Sequence, residues 1–389
     1  MTDLGAFTNH LPVRIWFGEG RSRDVLTALG EVGARRVLVM TDEGIDAFNP
    51  AAATLLDVLV ASEFDVTRMD KPAGEPTIAM VDAATEHVRL TNPDAIVALG
   101  GGSVIDTAKA ARLCDQLNIG FAEFVATRPT YPTPTRVLMA LPTSAGTGSE
   151  VSGGAVIADP EAGTKNGIAH PLLRAQYAIV DPELSASMPP SMTANTGIDA
   201  MAQAIAAMVA HVRTPIGDAI ALEAIRMMAP ALPVAFRDGT DRSARAAMAC
   251  GAMMAGLAMN ISDCTAEHAL GQAIGGVAHV PHGLTIGLVV AETLERERHH
   301  VPEILERVAD ALGAPRDGTS DGSRCITAVK GLLGELNFPV LSSLGITEES
   351  LADLADLALA DYFITMSPVP WTKEEVVNAF ASALALTSR

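Results

Sequence analysis

Between residues 36 and 181 short apolar runs alternate with stretches in which apolar residues recur at helical spacing. RVLVMT, FDVTRM, DAIVAL, RVLMALP, AVIAD and YAIVD read as strands, while AAATLLDVLVAS, TIAMVDAATEHV and the segment from Ser103 read as helices between them. This alternation predicts a layered α/β domain with a mainly parallel sheet. After SMPPSMT, residues 187–193, the strand pattern stops and helical spacing takes over. Helices are expected over 192–210, 215–229, 242–260, 265–278, 283–297, 302–312, 323–336, 348–358 and 373–387. The change of texture places a boundary near Pro189-Pro190, with an α/β domain over 1–188 and an all-α domain over 189–389.

The junction ALGGGSVIDTAK, residues 98–109, joins a buried-strand pattern to a helix through three consecutive glycines. Ser103 is the expected N-cap and Asp106 stands where a capping-box acid belongs. Glycines there let a backbone approach a ligand closely, and the leading N–H groups and dipole of a helix favour an anion such as a pyrophosphate. A tight turn with no ligand is the competing reading, since neither GxGxxG nor GxxxxGK[ST] is present. If the domain binds a dinucleotide, Asp42 at the end of RVLVMT can accept hydrogen bonds from ribose hydroxyls and would repel a 2′-phosphate, favouring NAD over NADP.

Composition narrows the classes. With 389 residues, 49% of them hydrophobic, the chain can build two domains around large cores. A net charge of −19 argues against nucleic acid and anionic membrane surfaces as partners. There is no uninterrupted apolar run of about 18 residues, and MTDLGAFTNH has no signal-peptide pattern, so a cytoplasmic location is expected. Cys114, Cys250, Cys264 and Cys325 are widely spaced and read as reduced thiols. Only five of the twenty-seven basic residues are lysines, two of them, Lys109 and Lys165, in the later part of the α/β half. A compact ammonium beside phosphate or a reacting centre is one reading of these two, and surface solvation the other.

In the helical half, NTGIDAMAQAIAAM places Asp199 and Gln203 on one helix face, and AEHALGQAIGG repeats the spacing with His268 and Gln272. VPHG puts His282 in the turn that follows. One Asp and two His can form a divalent-metal site with positions open to a substrate oxygen, although each histidine alone could be a satisfied core residue.

Together GGGSVIDTAK, LPTSAGTGSEVS (141–152), DPELSASMPPSMTANTGIDAMAQAI (181–205) and HALGQAIGGVAHVPHG (268–283) resemble the iron-dependent, or group III, alcohol dehydrogenases in order and length. The resemblance implies a dinucleotide-binding α/β domain, a helical domain, and NAD(P) with one metal ion, Fe²⁺ or Zn²⁺, in the cleft between them. It implies cofactor contacts at Asp42, Gly101, Gly102, Ser103 and Asp106, and at Thr143, Ser144, Thr147 and Lys165. It implies metal binding at Asp199, Gln203, His268 and His282, catalysis around Asp199, His268, His282 and Gln272, and a homodimer.

Gln203 and Gln272 stand where the family usually has histidine. Gln203 offers only a neutral amide oxygen. Gln272 exchanges no proton near neutral pH, which leaves solvent, a ribose hydroxyl or His279 to carry it. Gly153-Gly154 is leaner than the family pattern and is expected to widen the space near the nicotinamide. The expected activity is NAD-dependent, metal-dependent hydride transfer between a small alcohol and its aldehyde. The alternatives are a metal-independent reductase resembling maleylacetate reductase, a lyase resembling dehydroquinate synthase, and an inactive binding protein.

Overall fold

The protein is described by a computed structural model over residues 6–161 and 164–386. Six strands form one parallel sheet in the order β1 (Arg14–Phe17), β8 (Tyr177–Val180), β5 (Val137–Pro142), β4 (Ala95–Gly100), β2 (Arg36–Asp42) and β3 (Asp65–Lys71). The register runs Val37 opposite Ala95 and Ala95 opposite Val137. Alternation along the strands explains the layering. Val37, Val39, Val97, Leu99, Met139 and Leu141 pack into a core on one face, and Leu38, Met40, Ile96, Ala98, Leu138 and Ala140 into one on the other. Because both faces are covered, β4 is buried at all six positions and reads as a continuous apolar run.

The chain passes from β2 outward to β3 and then crosses back to β4 on the other side of β2. The ends of β2 and β4, at Asp42 and Gly100, therefore flank the point where strand order reverses. Ligands of such sheets bind there.

Two local expectations in the α/β half are corrected. AVIAD does not join the parallel sheet: β6 (Gly154–Asp159) pairs antiparallel with β7 (Thr164–Ala169) as a separate hairpin. It is pinned through Val156 N–H to Asp106 at 2.9 Å and Lys109 Nζ to the Gly154 carbonyl at 2.6 Å. Ser103 is not the N-cap either. The helix Gly102–Leu117 is capped by the backbone of Gly101, whose carbonyl accepts from Val104 and Ile105, and Ser103 Oγ instead donates to the Gly74 carbonyl at 2.8 Å.

From Pro190 onward the described chain is helical. The helices Pro190–Val209, Pro215–Arg237 and Arg242–Ser262 share one core with residues of His282–Glu297 and Pro302–Ala311. The helix expected to stop at 229 continues through Pro230 and Pro233 to Arg237, because Leu232, Pro233 and Ala235 are buried against its neighbours. The helices Pro215–Arg237 and Arg242–Ser262 are long and apolar enough to cross a membrane, yet their apolar faces are spent on this core. His282 is the first residue of its helix rather than a turn residue.

Candidate active site

The glycine loop after β4 leans on the loop that follows β5. A Cβ on Gly102 would stand 2.6 Å from Thr147 Oγ1, so only glycine fits there, and a Cβ on Gly101 would lie 3.4 Å from Ser144 Oγ. Thr143 N–H donates to the Gly100 carbonyl at 3.0 Å, which ties the two loops at their roots. The result brings Gly101, Gly102, Ser103, Thr143, Ser144 and Thr147 together, each partly exposed, at the carboxyl end of the sheet. The Gly102 and Ser103 N–H groups lead a sixteen-residue helix, as an anion site requires.

Asp42 lies at the end of β2 opposite Lys71, with Lys71 Nζ 2.8 Å from its carboxylate. That buried ammonium also donates to the carbonyls of Pro72 and Gly74, the latter the acceptor of Ser103 Oγ. Asp42 and the glycine loop are thus tied through one lysine. Asp106, expected at the phosphates, is committed elsewhere. It accepts from Ser149 Oγ and Val156 N–H and lies 3.8 Å from the fully buried Lys109 ammonium. Burial pushes its carboxyl up, and Lys109 beside it acts in the opposite sense. Burial also lowers the Lys109 ammonium to about 8. Asp106 and Lys109 therefore brace the hairpin and the post-β5 loop.

Gly153 is likewise structural and does not open space. A Cβ there would stand 2.7 Å from the His170 carbonyl, and its N–H donates to Asn260 at 2.9 Å.

Across the cleft, Lys165 of β7 pairs with Glu75 at 2.7 Å, and its Nζ would lie 3.8 Å from a Cβ on Gly275 in the helix Ala266–Ala278. The two halves also meet where Gly148 and Gly256 touch backbone to backbone.

That helix carries His268, and the Pro190–Val209 helix carries Asp199 and Gln203. Asp199 Oδ1 stands 3.5 Å from His268 Nε2 and 3.7 Å from His282 Nε2. Their donor atoms all lie within 4.8 Å of one another. Two donors about 2.1 Å from one tetrahedral ion stand roughly 3.4 Å apart, so the spacing fits a shared ion. Asp199 Oδ1 and Gln203 Oε1 are buried without a hydrogen-bond partner, an expensive condition that a cation between them would relieve. Burial alone would raise the Asp199 carboxyl, but His282, His268 and Gln203 hold it below the usual carboxylate range.

Burial opposes a charged His268, and Cys264, Asp199 and Glu267 overcome it and raise its pKa. Burial dominates at His282 and lowers its pKa. Gln272 sits one turn beyond His268 and is partly buried, while His279 is exposed at the C-cap of the same helix with φ 52°. The four cysteines are free. Two further residues neighbour these groups: Lys71, whose partner Asp42 lies on the adjacent strand, and Glu267, for which the only sequence signal is an acid inside an apolar helical run.

Comparison with known proteins places the chain in a family. Residues 12–182 match the family described as iron-containing alcohol dehydrogenase, and residues 193–384 match the C-terminal region of the Fe-containing alcohol dehydrogenase family. Choline dehydrogenase of Bacillus subtilis is 33% identical over 91% of this chain and 89% of its own length. The crystal structure of 1,3-propanediol oxidoreductase superposes with a TM-score of 0.92 at 27% identity, covering 97% of this chain and 100% of that one. Sulfoacetaldehyde reductase from Bifidobacterium kashiwanohense, solved with NAD⁺, superposes with a TM-score of 0.88 at 28% identity over 98% and 99% of the two chains. The family match and these relatives define an oxidoreductase acting on CH–OH groups. The chain belongs to the iron-containing alcohol dehydrogenase family.

Proposed function

We propose that this protein interconverts a small alcohol and its aldehyde by hydride transfer, using NAD and a single divalent ion, Fe²⁺ by family, with Zn²⁺ as the alternative that the same donors accept. The observation that carries the proposal is the convergence of Asp199, His268 and His282 with an unpartnered, buried Asp199 oxygen. These three residues would hold the ion, with Gln203 Oε1 as a weak fourth donor. A divalent ion bound there supplies Lewis-acid polarisation of the substrate oxygen, and NAD supplies the hydride acceptor.

The remaining work falls to the chain. Gly101, Gly102 and Ser103 receive the pyrophosphate at the helix start, and Asp42 takes the adenosine ribose. Thr143, Ser144, Thr147 and Lys165 line the way towards the nicotinamide. Lys165 pairs with Glu75 and its ammonium reaches Gly275 on the helix bearing His268, so it stands between the cofactor side of the cleft and the substrate side. Gln272 can orient a substrate or ribose hydroxyl by hydrogen bonding but cannot exchange its proton, so the proton leaves through solvent, a ribose hydroxyl or His279. A metal-free reductase of acidic ketones is not favoured, because it leaves the buried Asp199 carboxylate facing two imidazoles without a task. A cytoplasmic homodimer belongs to the same proposal.

The test is NADH oxidation against a panel of small aldehydes, before and after chelation and after return of Fe²⁺ or Zn²⁺. The proposal requires chelator-sensitive turnover that the ion restores. Activity indifferent to chelation and to the Asp199→Ala substitution contradicts it.

A further inference from the structure

Glu267 directly precedes His268 in the helix Ala266–Ala278 and is 5% exposed. Burying a carboxylate so deeply is costly unless donors meet it. They do: His268 Nδ1 lies 2.8 Å from Oε1, Thr265 N–H donates to the same oxygen at 3.1 Å, and Thr265 Oγ1 donates to Oε2. An ionised carboxylate only accepts, so when the ring is neutral, as an ion ligand must be, its one proton sits on Nδ1. The Nε2 lone pair then faces Asp199 and His282 on the other side of the ring.

We propose that Glu267 is a positioning residue of the metal centre, fixing the tautomer and orientation of His268 and strengthening Nε2 as a donor. The inference rests on the metal reading of Asp199, His268 and His282 above. It also answers the weakness left by Gln203: where the fourth donor is a neutral amide, a carboxylate behind one imidazole raises the basicity of a remaining ligand.

Cys264, Glu267 and His268 also approach one another closely enough to hold an ion of their own. The hydrogen bonding favours the positioning role. Both Glu267 oxygens already accept bonds, whereas the Asp199 oxygen facing the histidines accepts none.

The experiment is a Zn²⁺ competition titration against a chromophoric chelator on the full chain, for wild type, Glu267→Gln, Thr265→Val and Asp199→Ala, with the Co²⁺ visible spectrum as a second readout. Melting temperatures of the metal-free proteins monitor folding. The expected result is one Zn²⁺ per wild-type chain and affinity weakened by about 10- to 100-fold in Glu267→Gln, the usual effect of removing such a partner. The Co²⁺ band should shift in that variant, Thr265→Val should lose less, and adding Gln203→His to Glu267→Gln should restore much of the affinity.

Wild-type affinity in Glu267→Gln, with binding still abolished by Asp199→Ala, overturns this proposal and leaves the functional reading standing. Two ions per chain, one of them lost in Glu267→Gln, make Glu267 a ligand and overturn its positioning role. If Glu267→Gln does not fold, an unaltered affinity and Co²⁺ spectrum in Thr265→Val overturns it instead. A wild-type chain that binds no ion overturns both.

Discussion

Gly283 abuts the backbone of Asn195 so closely that a Cβ on it would stand 2.1 Å from the Asn195 carbonyl oxygen and 3.2 Å from Asp199 Cβ. The residue after His282 is thus pressed against the helix that carries Asp199. Gly283→Ala must push the two helices apart. Overpacking of this kind costs about 1–3 kcal/mol, and more where backbone opposes it. We expect a lower melting temperature and weaker Zn²⁺ binding. A variant with wild-type Zn²⁺ affinity would separate the glycine from the site.

Gln203 is 4% exposed with its Oε1 unpartnered, so a better donor can be installed without opening a new space. Gln203→His should tighten Zn²⁺ binding by about tenfold or more, since imidazole is the stronger ligand. Calorimetric titration checks it. Unchanged affinity would mean that residue 203 does not reach the ion.

Asp42 shares its place at the strand end with the Lys71 ammonium, 2.8 Å away. Removing the carboxylate removes both the partner for ribose hydroxyls and the repulsion of a 2′-phosphate, and it leaves the cation behind. In Asp42→Ala the ratio of kcat/KM with NAD to that with NADP should fall by about tenfold or more. An unchanged ratio would remove Asp42 from the ribose site.

Glu297 accepts from Trp371 Nε1 at 2.9 Å beside Arg296, and burial pushes its carboxyl up to about 7. Its folded pKa lies above the ordinary value near 4.5, so the folded state holds a proton that the unfolded chain releases in between. Stability from this group is full below about pH 4.5 and is lost as pH rises to about 7. Glu297→Gln lacks that loss. Its melting temperature relative to wild type should therefore climb from pH 5 to pH 8, by an amount worth at most about 3 kcal/mol at about 1.4 kcal/mol per pKa unit. A constant offset would contradict the assignment.

Much of this molecule is legible in the sequence, for identifiable reasons. The parallel sheet shows because strands buried on both faces, such as Ala95–Gly100, read as unbroken apolar runs. Asp199, Gln203, His268 and Gln272 show because polar groups at spacing four stand out in alanine-rich helices. Partners that act across the fold were hidden. Nothing local says that Asp106 braces a hairpin fifty residues away, or that Gly153 is required by the His170 carbonyl. β1 was missed because four residues at a sheet edge give too short a pattern, and β7 because TKNGIA has no alternation. The Ser103 cap failed because the glycines let the backbone of Gly101 close the first turn.

The central claim is that Asp199, His268 and His282 hold one catalytic ion despite Gln203. Elemental metal analysis of anaerobically purified wild type and Asp199→Ala, read beside their NADH-linked turnover, tests it most directly. The account predicts about one ion per wild-type chain and loss of both ion and turnover in the variant. A metal-free wild-type protein that turns over unaided, or an Asp199→Ala protein with full metal and full activity, would contradict it.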